Sequence, residues 1–190
     1  NLFPFPRQPL AHLPTPLEYL PRLSRHLGGP RILIKRDDCT GLALGGNKTR
    51  KLEFLMADAL ALGADTVLTT GGVQSNHVRQ TAAASARNGL SCHLVLAPAV
   101  PWDDPAYNIS GNVQLDHLLG AQVHVLPPET DRDKSMDRLA KTLQSQGRKT
   151  YVIPSGGSNA VGALGYVACA QELGDQAGTM GENIDVLIHA

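Results

Sequence analysis

The chain lacks an excess of either charge: Lys plus Arg is 17 and Asp plus Glu is 17 over 190 residues. A nucleic-acid or membrane-surface partner would call for a basic surplus, so neither is expected. Cysteine is scarce. Cys39, Cys92 and Cys169 lie far apart with no CxxC pair, which argues against a disulfide framework and a zinc ribbon. No apolar run approaches the roughly 18 residues of a membrane span, and no secretory leader is visible. Neither GxGxxG nor GxxxxGK[ST] occurs, so the dinucleotide and P-loop readings fail. Disorder fails too, because 42% of residues are hydrophobic and only 18% charged. What remains is a soluble, cytoplasmic protein that handles a small molecule, with enough chain for one domain or one and a half.

Proline and glycine punctuate what is there. Seven prolines fall in the first 30 residues, so that stretch reads as extended chain wrapping over something else, with one short helix over 18–27. A strand at 31–35 and a polar, glycine-rich loop over 36–46 follow. The spacing of Leu52, Leu55, Met56, Ala59 and Leu60 predicts a helix over 48–62, closed by Gly63. Beyond it, strands (66–70, 91–96, 122–126, 150–154) alternate with helices (76–88, 112–119, 131–146, 163–173). Such alternation implies an α/β fold with a parallel sheet and flanking helices. The run 185–190 reads as one more buried strand. A central strand with nothing after it would leave a face and an edge uncovered, so the chain is expected to be the N-terminal part of a longer protein.

In parallel sheets ligands sit at the carboxyl ends of strands, in the turns that lead into helices. Three polar turns stand out. The first, Gly45 to Lys48, opens a helix with a lysine, where the helix dipole disfavours a cation. Arg50 and Lys51 add charge to the same turn, and Asn47 is a suitable cap. Positive charge there makes sense if an anion binds, or if one lysine is consumed as an imine with an aldehyde cofactor. Ordinary surface lysines at a solvated helix start would read the same way. The second turn, Gly71 to Asn76, could cradle a phosphate or carboxylate through backbone N–H groups and the Ser75 hydroxyl, or be a tight turn capped by Ser75 or Asn76. His77 beside it could be an acid–base group. The third runs from Ser155 to Asn159, and a capped helix start explains it equally well. No partner can be assigned to Cys39, and Asp37 with Asp38 is too sparse a set for a metal.

Taken in order, PTPLE (14–18), KRDD (35–38), GGNKTRKLEF (45–54), QSNHVRQ (74–80), YVIP (151–154) and GSN (157–159) resemble the D-cysteine desulfhydrase and 1-aminocyclopropane-1-carboxylate deaminase family. The resemblance covers essentially all 190 residues, and GGNKTRKLEF is highly specific. It implies pyridoxal 5′-phosphate as cofactor and the tryptophan-synthase-β-like fold (fold type II). By motif, Lys48 is the family's Schiff-base lysine and Lys51 its phosphate-side lysine. Ser75 matches the serine that contacts the substrate, a candidate acid–base or nucleophilic group. Asn76 matches the residue near the cofactor's 3′-oxygen and the substrate carboxylate, and Gln74 and His77 join the substrate side. Residues 46–158 would form the small domain, with 1–45 and 159–190 belonging to the large one. The phosphate loop and active-site tyrosines are expected after Ala190, which puts activity of this piece alone in doubt. A homodimer is implied as well.

The resemblance also orders the substrates. Deaminases resemble QSNQTRQ at the second turn, whereas QSNHVRQ (74–80) favours D-cysteine, converted to pyruvate, sulfide and ammonia. The stretches AHLPTPLE (11–18) and RDDCTGLA (36–43) are shared with L-cysteate sulfo-lyases, which stay close. The rival from another class is a non-catalytic small-molecule binding domain, or an inactive fragment of the enzyme.

Overall fold

The computed structural model describes residues 4–100, 102, 104–128 and 130–189. It opens with β1 (Leu17–Tyr19), α1 (Pro21–Leu27) and β2 (Leu33–Lys35). Two short 3-10 turns, Asp37–Thr40 and Leu42–Leu44, lead into α2 (Lys48–Ala61). Then come β3 (Thr66–Gly72), α3 (Asn76–Arg87), β4 (Ser91–Ala97), α4 (Asn112–Leu118) and β5 (Gln122–Val125). The chain continues through α5 (Arg132–Ser145), β6 (Thr150–Ile153), a 3-10 turn at Ser155–Gly157 and α6 (Ala160–Met180).

The central sheet is parallel, in the order β5-β4-β3-β6, and β1 pairs antiparallel with β2 apart from it. Placing β3 at the centre explains its sequence. Thr66-Val67-Leu68-Thr69-Thr70 is buried on both faces, so it carries no polar–apolar alternation. Its threonines hydrogen-bond within the sheet layer: Thr70 Oγ1 donates to the Val95 carbonyl at 2.8 Å, and Thr69 Oγ1 to that of Ile153 at 2.9 Å. One face packs under α3 and α4 through Val73, Val78, Leu94, Leu96 and Val113. The other packs on α5 through Leu68, Val95, Met136, Ala140 and Leu143. A third cluster joins α2 to the sheet through Leu52, Leu55, Met56, Val67 and Ile153.

The parallel α/β sheet with flanking helices expected from the sequence is present. Three local expectations are corrected. Residues 18–27 are not one helix: Glu18 pairs with Ile34 in the β1–β2 ribbon, and the helix begins at Pro21, whose fixed φ suits a first helical position. The helix expected over 163–173 runs from Ala160 to Met180, started by Asn159, whose Oδ1 accepts from the Gly162 N–H at 2.8 Å. The strand expected at 185–190 is absent from 185–189, and Ala190 lies outside the described residues. Val186, Leu187 and Ile188 are exposed, and no neighbouring strand among the described residues offers the ladder that an apolar run needs to become a strand.

Candidate active site

The three polar turns converge because β3 and β6 are neighbours whose carboxyl ends open on one side, and α2 starts beside them. Two residues of α3 hold the first turn. Gln80 accepts from the Thr49 N–H at 2.9 Å and the Thr49 hydroxyl at 2.7 Å, and Arg79 Nη2 donates to the Gly45 carbonyl at 2.7 Å. A side chain at Gly46 (φ +133°) would strike the Gln80 amide at 2.4 Å, so glycine is required for this approach. Lys51 ties the first turn to the third: its Nζ donates to the Gly156 carbonyl at 3.1 Å and to Ser158 Oγ at 3.0 Å. The second and third turns meet where the His77 ring approaches Gly157.

Lys48 is half-buried at the first position of α2. Among the described residues its amine meets only Asn47 Oδ1, at 3.3 Å, and no carboxylate. Asn47 does not cap the helix with its side chain; its amide donates instead to Tyr166 Oη at 2.6 Å. Lys51 lies one turn on, with Nζ 5.7 Å from the Tyr166 ring centre. Burial, with the Lys48 charge behind it, pushes the Lys51 amine below the ordinary lysine range.

Ser75 caps α3 with a long hydrogen bond, Oγ accepting from the Val78 N–H at 3.4 Å. Asn76 is exposed at the start of the helix. His77 is buried; its Nε2 lies 2.9 Å from the Thr69 hydroxyl, which donates its one proton to Ile153. Nε2 therefore carries the ring proton, and Nδ1 is a lone pair with no hydrogen-bond partner among the described residues. Burial first, then Lys48 and Lys51, holds the imidazole down at about 4, so it is neutral at physiological pH.

Gln74 is engaged on both sides of its amide. Nε2 donates to the carbonyls of Tyr107 at 2.6 Å and Ser110 at 3.0 Å, and Oε1 accepts from the Asn112 N–H at 2.9 Å. It anchors the loop before α4. Of the six residues singled out in the sequence, Lys48, Lys51, Ser75 and Asn76 present polar groups at the turns, while Gln74 and His77 are built into the walls. Asp37 and Asp38 are taken up by Arg50 and Arg36, and Cys39 is an exposed thiol. Two apolar grooves lie elsewhere along α6, one past Pro14, Leu17 and Met180, the other past Phe5, Phe54 and Leu164.

Sequence reasoning passed over Arg79, Gln80 and Asn112. A signal existed for the first two: on a helix beginning at Asn76, positions 79 and 80 share its face. Asn112 had none, because its contact with the turn depends on where the fold places the start of α4.

Residues 9–190 match the family model for pyridoxal-phosphate-dependent enzymes. The chain is 54% identical over 176 residues to a D-cysteine desulfhydrase of Klebsiella pneumoniae subsp. pneumoniae, and 51% identical to one of Salmonella paratyphi B. Each alignment covers 93% of this chain and 53% of the relative, so the chain spans about half the length of the curated relatives it matches. Among solved structures, a homologue of 1-aminocyclopropane-1-carboxylate (ACC) deaminase superposes with a TM-score of 0.82 at 43% identity, over 91% of this chain and 51% of that one. An Escherichia coli diaminopropionate ammonia lyase in apo form shares the fold, with a TM-score of 0.67 at 22% identity over 90% of this chain and 48% of that one.

Proposed function

Because the chain belongs to the pyridoxal-phosphate-dependent enzyme family, we propose that it is the N-terminal part of a lyase that eliminates the β-substituent of a small amino acid. D-cysteine is the substrate, and with water it gives pyruvate, hydrogen sulfide and ammonia. The observation that carries this reading is the Lys48 amine: half-buried, at a helix start, with no carboxylate partner among the described residues. The donor set fits the cofactor. Lys48 would hold its aldehyde carbon, the Lys51 ammonium its anionic side, and the Asn76 amide an oxygen acceptor. Bound there, pyridoxal phosphate supplies an electron sink for negative charge at the substrate α-carbon.

The chain's own groups do the rest. Lys48 Nζ or a group near Ser75 takes the α-proton; the Ser75 cap bond uses a lone pair, so its hydroxyl keeps a proton to donate to a substrate oxygen. His77, kept neutral, adds no third positive charge beside the two lysines. Gln74 and His77 hold the substrate side of the turn in place. The 51–54% identity to D-cysteine desulfhydrases and the QSNHVRQ turn support this substrate over L-cysteate and ACC.

The division into 1–45, 46–158 and 159–190 belongs to the same proposal. It is supported by the way α6 returns to the N-terminal ribbon, where Lys35 Nζ hydrogen-bonds Glu172 and Gln176. A cytoplasmic homodimer completes it. Among the described residues no helix is long and apolar enough to cross a membrane.

The test uses protein expressed from the complete coding sequence with pyridoxal phosphate. Sulfide release from D-cysteine is measured beside sulfite release from L-cysteate and ammonia release from ACC. Lys48→Ala should lose both turnover and the visible cofactor band. Lys48→Arg, which keeps the charge without a condensing amine, should lose them as well. Retention of both properties in Lys48→Ala sinks the assignment. Sulfite without sulfide would move the protein to the sulfo-lyase reaction.

A further inference from the structure

The Asn76 amide has a fixed orientation, and residues outside the turn fix it. Arg79 is buried behind the turn. Its Nη1 donates to Asn76 Oδ1 at 3.0 Å and to Asn112 Oδ1 at 2.8 Å. A guanidinium has only donors, so both atoms facing it must be oxygens. Asn112 Nδ2 is then turned the other way, and it donates to the Gln74 carbonyl at 2.8 Å and to Asn76 Oδ1 at 3.0 Å. Asn76 Oδ1 therefore receives two hydrogen bonds, and either alternative flip of the amides would set donor against donor. The consequence falls on the other end of the Asn76 amide. Nδ2 has no hydrogen bond among the described residues, and the side chain is exposed on the open side of the turn.

We propose that Arg79 and Asn112 are positioning residues: together they lock the Asn76 carboxamide with its two N–H donors outward, set to receive an oxygen acceptor of the bound cofactor or of the substrate carboxylate. This rests on the cofactor reading given above. The arrangement selects for acceptors. A carboxylate or phenolate oxygen meets N–H groups already held in place, and a donor would meet the same N–H groups with no means of turning the amide over. The polarity of the site is thus decided one residue layer behind it. The 105–112 loop takes part because Gln74 and Asn112 seat it against the turn.

The decisive variant is Asn112→Asp. It replaces the Nδ2 donor with an acceptor, so oxygen is set against Asn76 Oδ1 and the Gln74 carbonyl, and the Asn76 amide is pushed out of its fixed orientation with Arg79 as its one remaining inner partner. In holoenzyme from the complete coding sequence, cofactor dissociation constant, visible band position and KM are compared in four proteins: wild type, Asn112→Asp, Asn76→Ala and the double variant. Affinity should weaken on the order of ten- to hundredfold in Asn112→Asp, the scale of a hydrogen bond to an ionised group. If the acceptor is a cofactor oxygen, the dissociation constant and the band move; if it is the substrate carboxylate, KM moves with kcat largely kept. In the Asn76→Ala background the same substitution should have almost no further effect, since its target is gone.

Equal losses in both backgrounds would overturn the proposal, because a merely structural residue costs the same whether or not Asn76 is there. An unchanged dissociation constant, band and KM in Asn112→Asp would overturn it too. Should Asn112→Asp fold poorly, Asn112→Ala removes one of the two hydrogen bonds to Asn76 Oδ1, and the same cycle applies. A wild-type protein that shows no cofactor band would instead refute the cofactor reading itself, so the two failures are told apart.

Discussion

Two arginines are buried among the described residues, and they are treated in opposite ways. Arg50, on α2, is 1% exposed and surrounded by charge: Asp37 takes a bidentate pair at 2.8 and 2.9 Å, Glu172 accepts at 3.0 and 3.1 Å, and Thr15 Oγ1 accepts at 2.9 Å. Arg79, on α3, is 7% exposed and meets neutral oxygens of Asn76, Asn112 and Gly45, while its Nε has no partner among the described residues. The nearby carboxylate, Asp116, is fully buried, and among the described residues neither of its oxygens has a hydrogen bond. Hydrogen bonds to Glu172 and Asp37 outweigh burial at Arg50 and hold its proton more tightly than usual; at Arg79 burial prevails and the hold is weaker. Arg50 fastens α2, α6 and the N-terminal segment together. Arg79 orients a residue that must stay available to a ligand. A saturated cluster holds elements together, and an unsaturated one keeps capacity for a guest.

The comparison can be broken by mutation. The largest effect is expected for Arg50→Met, which leaves Asp37 and Glu172 facing each other without the guanidinium. Urea unfolding should show a loss of about 3–5 kcal/mol, the cost of breaking a buried ion pair from one side. An unchanged midpoint would mean that the cluster contributes nothing net. Glu172→Gln should cost less, about 1–3 kcal/mol at pH 7, since Asp37 remains. Arg50 and Lys35 hold the Glu172 carboxyl down at about 2, below its ordinary value of 4.5. Its contribution is therefore complete above pH 4.5 and lost as pH falls towards 2, and wild type and variant should converge in acid.

Asp116→Asn should act in the other direction and by the least, on the order of 1 kcal/mol once the buried amide's own unpaired groups are counted. Burial raises Asp116 to about 7 from an ordinary 3.8. Between those values the folded state keeps a proton that the unfolded state has released, so stability declines as pH rises from about 4 to about 7. The variant should remove that decline, and be the more stable protein at pH 8. A wild-type profile as flat as the variant's across this window would show that Asp116 does not titrate there. His77 slopes the opposite way, because the unfolded ring gains a proton below 6.5 and the folded one only near 4. In the variant the acid-side loss due to His77 should therefore stand uncovered.

The sheet and its helices were legible because β3 to α5 alternate at regular spacing, with apolar positions at the right period for each. The two misread ends share one cause. Glu18 is paired in β1 by a strand 16 positions further on, and the apolar run at 186–188 has no strand to pair with among the described residues; pairing of this kind is set by partners remote in sequence. At the site, Lys48, Lys51, Ser75 and Asn76 could be singled out because each belongs to a turn that is odd in itself. Asn112 could not, since nothing in Asn112-Val113-Gln114-Leu115 distinguishes it from an ordinary helix start. Its role exists only once the fold brings the start of α4 back to Gln74 and Asn76.

The reach of the Arg50 cluster also has a consequence in time. Glu172 follows Arg50 by 122 residues. A growing chain at about 5–20 residues per second makes the arginine on the order of ten seconds before its second carboxylate exists. Until then α2 can carry Arg50 with Asp37 alone, and the surface that α6 will cover stays open. The N-terminal segment, which donates through Thr15 N–H and Lys35 to the same glutamate, waits on the same event. Closure of this part of the molecule is thereby timed to the synthesis of a single late glutamate.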